Sequence, residues 1–282
     1  KAPLRIIIGN PPYSIGQKSA NDNSQNQEYP KLDARIINTY RANSISTSAT
    51  AVKTLRDSYI KAFRWSSDRL DKTGGIICFV SNGAWLDGNS TDGFRKSLEK
   101  EFSSIYIFNL RGNQRTSGEL SRKEGGKIFG SGSRTPISIS LLVKNPAVKS
   151  EKAAIHYHDI GDYLDREQKL KIVKEFKSFG NAKLTLTTLQ PNDQGDWISM
   201  RNNLFDTFIQ LDAAKKFDTR SSSFFNTYAI GVATNRDAWA LNFSKSNVEG
   251  NMTRMIDFYN LQVKTFHDKL IQNKANELLT LS

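Results

Sequence analysis

Asn10, Pro11, Pro12 and Tyr13 are the four consecutive residues of this 282-residue chain best suited to chemistry. They follow the largely apolar stretch LRIII at residues 4–8 and Gly9, so they fall where a strand must stop. Two prolines fix φ and supply no backbone donor. Asn10 offers a side-chain carbonyl, and the peptide carbonyl of Pro11 offers a second acceptor. Two acceptors on a rigid corner can grip an NH₂ group, while the flat face of Tyr13 can lie on a planar ring. A heterocycle with an exocyclic amine meets all three demands, and adenine is one. The bland alternative is a proline-punctuated turn with Tyr13 in the core.

Such a corner is useful at the carboxyl end of a parallel strand, where open α/β sheets bind ligands. The periodicity predicts that setting. Residues 4–8 read as a buried strand, and 14–50 as a long polar loop with little regular structure before KLDARIINTY. A helix is expected over 53–70, a strand over 76–82, a helix over 92–102 and a strand over 103–110. Residues 111–135 read as a glycine-rich basic loop and 136–145 as a fourth strand. That strand has no helix before it and is free to run antiparallel. The near-continuous apolar runs imply a largely parallel sheet covered on both faces. Further on, an edge strand is expected at 152–160 and a helix at 165–179 with Asp165 and Gln168 as its capping box. NAKLTLTTL alternates polar and apolar. A helix is expected over 201–217, strand–turn–strand over 222–243, and a last helix over 248–273 with a packing stripe of Met252, Met255, Tyr259, Val263, Phe266 and Leu270.

Net charge is +12 with a sequence pI near 9.6, which points to a polyanionic partner, nucleic acid above all. Between 111 and 134, Arg111, Arg115, Arg122, Lys123, Lys127 and Arg134 face only Glu119 and Glu124. Beside the strand ends, that loop is placed to touch phosphates; a solvated surface loop is the alternative. The single cysteine, Cys78, lies in the apolar run GIICFV and implies a reducing cytoplasm. His156 and His158 share one face of a strand, but no third ligand lies near, so no metal site is expected. No apolar run is long enough to span a membrane.

GNPPY after an apolar strand resembles the catalytic corner of N6-adenine DNA methyltransferases. GGIICFVSNGAWL, FRKSLEKEFSSIYIFNLRG and GGKIFGSGSRTPISISLLVKN resemble, in order, the later strands and helices of that fold. YAIGVATNRDAWALNF is similar to the start of the target-recognition region in fused restriction–methylation enzymes. Over most of its length the chain resembles the methylase segment of single-chain restriction–modification proteins that also carry nuclease and helicase segments. The resemblance implies a partial class-I (Rossmann-like) methyltransferase sheet over residues 1–148, then a linker and the start of a smaller α+β target-recognition region over 149–282. It implies double-stranded DNA as partner, with further nuclease and helicase segments preceding the methylase. Asn10 and the Pro11 carbonyl would hold the target amine. Tyr13 would stack on a flipped adenine, with Phe129 on its other side or edge. Arg111, Arg115, Arg122, Lys123 and Arg134 would contact DNA.

S-adenosylmethionine is the methyl donor that the resemblance implies, and the family binds it with an aromatic-x-Gly-x-Gly turn after an earlier strand. That turn is missing. FGSGS at 129–133 precedes a proline-started strand instead of opening a helix, so it does not serve. The chain is therefore expected to be inactive alone. A non-catalytic DNA-binding module of a restriction–helicase protein is the main alternative; methylation of RNA or of a protein amide is a third.

Overall fold

The computed structural model describes residues 4–13, 28–46, 48–70, 73–130, 134–202, 204, 207–212, 223–225, 231, 234 and 236–280. The chain forms two compact units, Lys1–Asn202 and Asn203–Ser282. The boundary expected near 148 falls inside the first unit, because the sheet continues past it.

That sheet has six strands: β1 (Ile6–Gly9), β2 (Gly75–Asn82), β3 (Ser104–Arg111), β4 (Ile137–Lys144), β5 (Ala154–Asp159) and β6 (Thr187–Leu189). Their spatial order is β1-β2-β4-β3-β5-β6. β1 runs parallel to β2, and β3 parallel to β5. β4 is inserted between β2 and β3 and is antiparallel to both. It takes the antiparallel direction that the sequence left open, after a long connection that carries a short helix. The carboxyl ends of β1, β2, β3 and β5 therefore share one edge of the sheet. β5, expected to be an edge strand, is internal, since β6 pairs antiparallel outside it.

One face is covered by α1 (Pro30–Ile36), α2 (Ala49–Thr54), α3 (Ser58–Arg69) and α4 (Asp92–Glu101). The single helix expected over 53–70 is two, because Asp57 takes an extended backbone and the helix restarts at Ser58. KLDARIINTY folds as α1 followed by a π-helical turn at Ile37–Arg41. Phe63, Phe79, Trp85 and Phe94 meet edge to face with centroids 5.0–5.8 Å apart, the geometry that favours aromatic pairs.

The other face is covered unevenly. α6 (Arg166–Phe176) carries the expected Asp165–Gln168 capping box and packs with Phe108, Leu110, Ile128 and Ile137 over β3, β4 and β5. Toward β1 the same face is bare: Ile6 is 61% and Ile8 76% exposed. β1 was expected to be a buried strand; here it is an edge strand with one open apolar side.

In the second unit β7 (Gln210–Asp212) pairs parallel with β8 (Ser223–Phe225). The helix expected over 201–217 is absent among the described residues there. Leu204, Phe208 and Ile209 are exposed, so an apolar helix stripe would have nothing to pack on. Residues 213–217 lie outside the described set, as do 226–230 in the expected strand–turn–strand. Its second strand is replaced by a one-turn helix, α7 (Asp237–Ala240), with Thr234 hydrogen-bonded to Asp237. α8 (Lys245–Thr280) is longer than expected, and Tyr259, Val263, Phe266 and Leu270 of its stripe are exposed.

Candidate active site and polar cleft

β1 delivers Gly9 and then the corner. A Cβ on Gly9 would stand 3.2 Å from the Phe79 ring, so the small residue lets β1 lie close against β2. Asn10 and Pro12 are exposed, Pro11 is buried, and Tyr13 is half-buried. The buried ring of Pro11 anchors the corner while its neighbours face outward. The Tyr13 hydroxyl donates to Asn10 Oδ1 at 3.2 Å. A carbonyl oxygen has two lone pairs, so one Asn10 acceptor position stays open. The Pro11 carbonyl has no hydrogen-bond partner among the described residues.

Tyr13 packs against both core clusters and meets Tyr59 edge to face at 6.3 Å. Its ring is neither sealed in the core nor free in solvent. Burial pushes the phenol up to about 12, so it stays a neutral donor at physiological pH. Phe129 is also partly buried and packs on the second cluster with Tyr13. The two aromatics predicted to flank a base thus border the same apolar cluster.

The basic residues divide. Arg115, Arg122 and Arg134 are exposed, although Arg122 pairs with Glu119 at 2.8 Å and Arg134 donates to the Gln114 carbonyl at 2.8 Å. The loop that carries them includes a short helix, α5 (Gly118–Glu124). Lys169 of α6 braces its end, donating to the Glu124 and Gly126 carbonyls at 2.7 and 2.9 Å. Burial pushes that ammonium down to about 8. Arg111 is not a free cation: Nε lies 2.7 Å from Asp159, and Nη1 bonds Asp162.

Arg111, Lys123, Asn109, Tyr157, Asp159 and Asp162 line a cavity of about 590 Å³ at the carboxyl ends of β2, β3 and β5. Asn109 Nδ2 donates to the Tyr157 hydroxyl at 2.9 Å, and that hydroxyl donates to Asp159 at 3.0 Å. Sequence reading missed this network. Tyr157 sits between the two histidines that drew notice for metal binding. His156 stacks on Tyr106 at 4.7 Å, and His158 Nδ1 lies 2.8 Å from the Thr185 carbonyl. Cys78 lines an apolar cavity with Phe108, Ile139 and Phe176, and burial raises its thiol.

Residues 131–133 of the Gly-x-Gly candidate FGSGS lie outside the described set, and residues 134–136 after it lead into β4 and not into a helix.

The model for Eco57I restriction-modification methylases matches residues 5–115. The model for the Type ISP C-terminal specificity domain matches residues 223–279. No curated protein matches the chain. A solved nuclease-deletion mutant of the Type ISP restriction-modification enzyme LlaGI, in complex with a DNA substrate mimic, is 49% identical with TM-score 0.77; the match covers 93% of this chain and 20% of that one. ATP-dependent Type ISP enzyme LlaBIII bound to DNA is 42% identical with TM-score 0.79, covering 93% and 17%. The DrdV–DNA complex is 33% identical with TM-score 0.75, covering 92% and 25%. The chain thus spans a quarter or less of the length of these proteins. It carries an Eco57I-type restriction-modification methylase region followed by a Type ISP C-terminal specificity region.

Proposed function

We propose that this chain is the base-binding half of an adenine-N6 DNA methyltransferase together with its specificity region. The observation that carries the reading is the corner itself. Asn10 is exposed just past the end of β1, its Oδ1 hydrogen-bonded to the half-buried Tyr13, and the Pro11 carbonyl has no partner among the described residues. An adenine turned out of the duplex would place its amine between those oxygens. Drawing the amine protons toward carbonyls raises electron density on nitrogen and fixes its direction. Tyr13 would cover one ring face, with about 1–3 kcal/mol from stacking, comparable to the few kcal/mol that extrusion costs. Phe129 would cover the other side. Arg115, Arg122, Lys123 and Arg134 would hold the flanking phosphates. The DNA in the related solved complexes supports DNA as partner.

S-adenosylmethionine would supply an activated methyl group, and no described residue is assigned to it. The edge of β1, unpaired among the described residues, and its bare Ile6–Ile8 side support further polypeptide completing the sheet and the donor site. The nuclease and helicase segments of a restriction–modification protein would belong to the same longer chain. The 282 residues alone are then expected to show no methyl transfer.

The test is methyl transfer to duplex DNA by a longer polypeptide containing this chain and a donor loop. Activity lost in Asn10→Ala and absent from the 282 residues alone is the expected result. Full activity of the Asn10→Ala enzyme refutes the reading and favours a DNA-binding module without catalysis.

A further inference from the structure

We infer that Arg111 reads a base edge in the polar cleft and does not hold a phosphate. The inference rests on the DNA-modifying reading above and names the ligand of one part of the surface.

Three independent features single out this residue. Its φ is +54°, a left-handed conformation that is uncommon for non-glycine residues and that concentrates at functional sites. The β3–β4 register shifts between Asn109 and Arg111, and such bulges re-aim side chains beside active sites. Its guanidinium is clamped by two carboxylates that lie 48 and 51 residues away in sequence. Asp159 is itself fixed by the Tyr157 hydroxyl and by the Gly161 amide at 2.8 Å. The clamp uses Nε and Nη1 and leaves Nη2 with no partner among the described residues. The guanidinium is thus pre-aimed, with both Nη2 hydrogens and the second Nη1 hydrogen unpartnered among the described residues.

Charge selects the ligand. Asp87, Glu124, Asp159 and Asp162 line the cleft against Arg111 and Lys123. Four carboxylates facing two cations make a poor seat for a phosphate. A neutral base edge suffers no such repulsion. An end-on guanidinium fork matches a pair of acceptors such as guanine O6 and N7. Asn109 and Tyr157 add further donors and acceptors on the same wall. The ligand class is therefore a neutral nucleobase presenting two acceptors.

The experiment uses the 282-residue chain, a randomised duplex pool with sequencing of the bound fraction, and the salt dependence of affinity. The variants are Arg111→Lys, which keeps the charge and loses the planar fork, Arg111→Gln, which removes the charge, and Asp162→Asn, which loosens the clamp at its more exposed end. Thermal unfolding of all three checks that each is folded. The expected result is loss of preference at one base pair, by roughly 5- to 150-fold for a bidentate contact. Preference elsewhere and the salt slope stay unchanged. Asp162→Asn is expected to weaken the same position less. A phosphate contact predicts the reverse for Arg111→Gln: uniform weakening and a slope shallower by about one. That pattern overturns the inference, as does an unchanged preference in Arg111→Lys or a wild-type pool bound with no sequence preference. If the wild-type chain binds no duplex even at low salt, the DNA reading beneath it fails instead.

Discussion

The Tyr13 ring and its hydroxyl make separable contributions, and two substitutions distinguish them. The hydroxyl donates to Asn10 Oδ1 at 3.2 Å, longer than the usual O–H···O distance of about 2.7–2.8 Å. A long, partly solvated bond belongs at the weak end of the range, about 0.5 kcal/mol. Tyr13→Phe should therefore cost roughly two- to threefold. Tyr13→Ala removes the stacking face, at about 1–3 kcal/mol or roughly 5- to 150-fold. It also loses the edge contact with Tyr59 at 6.3 Å, which lowers stability by about 0.5–1.5 kcal/mol beyond area burial. Denaturant unfolding reads that second loss by itself. The DNA effect is read by fluorescence anisotropy on a fully paired duplex and on one carrying a single bulged adenine. The bulge relieves most of the unpairing cost, so wild type should prefer it. Phe should keep the preference within about threefold, while Ala should abolish it. Retention of the full preference by Tyr13→Ala refutes the stacking role. Equal losses in Phe and Ala would assign the effect to the hydroxyl instead.

Other outcomes follow from the fold. Gly93→Ala would place a Cβ 2.0 Å from the Tyr40 carbonyl oxygen and 2.6 Å from the Ser44 nitrogen; a loss of about 3 kcal/mol or more is expected in chemical denaturation. Arg95, fully buried, donates to the carbonyls of Gly195, Trp85 and Gly88. Thr91 also donates to the Trp85 and Gly88 carbonyls, so Arg95→Met strips the Gly195 carbonyl of its donor and removes the cation 3.6 Å from buried Asp196, and should cost about 3–5 kcal/mol by the same measurement. Burial opposes ionisation of Asp196, but the hydrogen bonds of Arg201 and Asn192 outweigh it and hold the carboxyl at about 2, below its ordinary 3.8. A depressed carboxyl stabilises the fold fully above its ordinary value and loses that contribution as pH falls toward 2. Denaturation midpoints should decline over that window, and Arg201→Gln should flatten the decline.

Local signals decided the corner and the order of elements. Two prolines stop a strand whatever surrounds them, so the position of Asn10 and Tyr13 was legible in residues 4–13 alone. The capping box at Asp165 and Gln168 formed as read, because both partners lie within one helical turn. The chain by itself also fixed its basic surplus and the apolar content of β1 to β4. Only the tertiary structure decided where β4 inserts, because strand pairing depends on hydrogen bonds between segments far apart in sequence. That insertion sets β3 beside β5 and brings Arg111 to Asp159 and Asp162. A count of charges treated Arg111 as one of six equivalent cations, whereas the sheet neutralises it and turns it into a wall of the cleft. The open side of β1 belongs to the same lesson. Apolar residues show that a face wants cover, while only packing shows whether anything covers it.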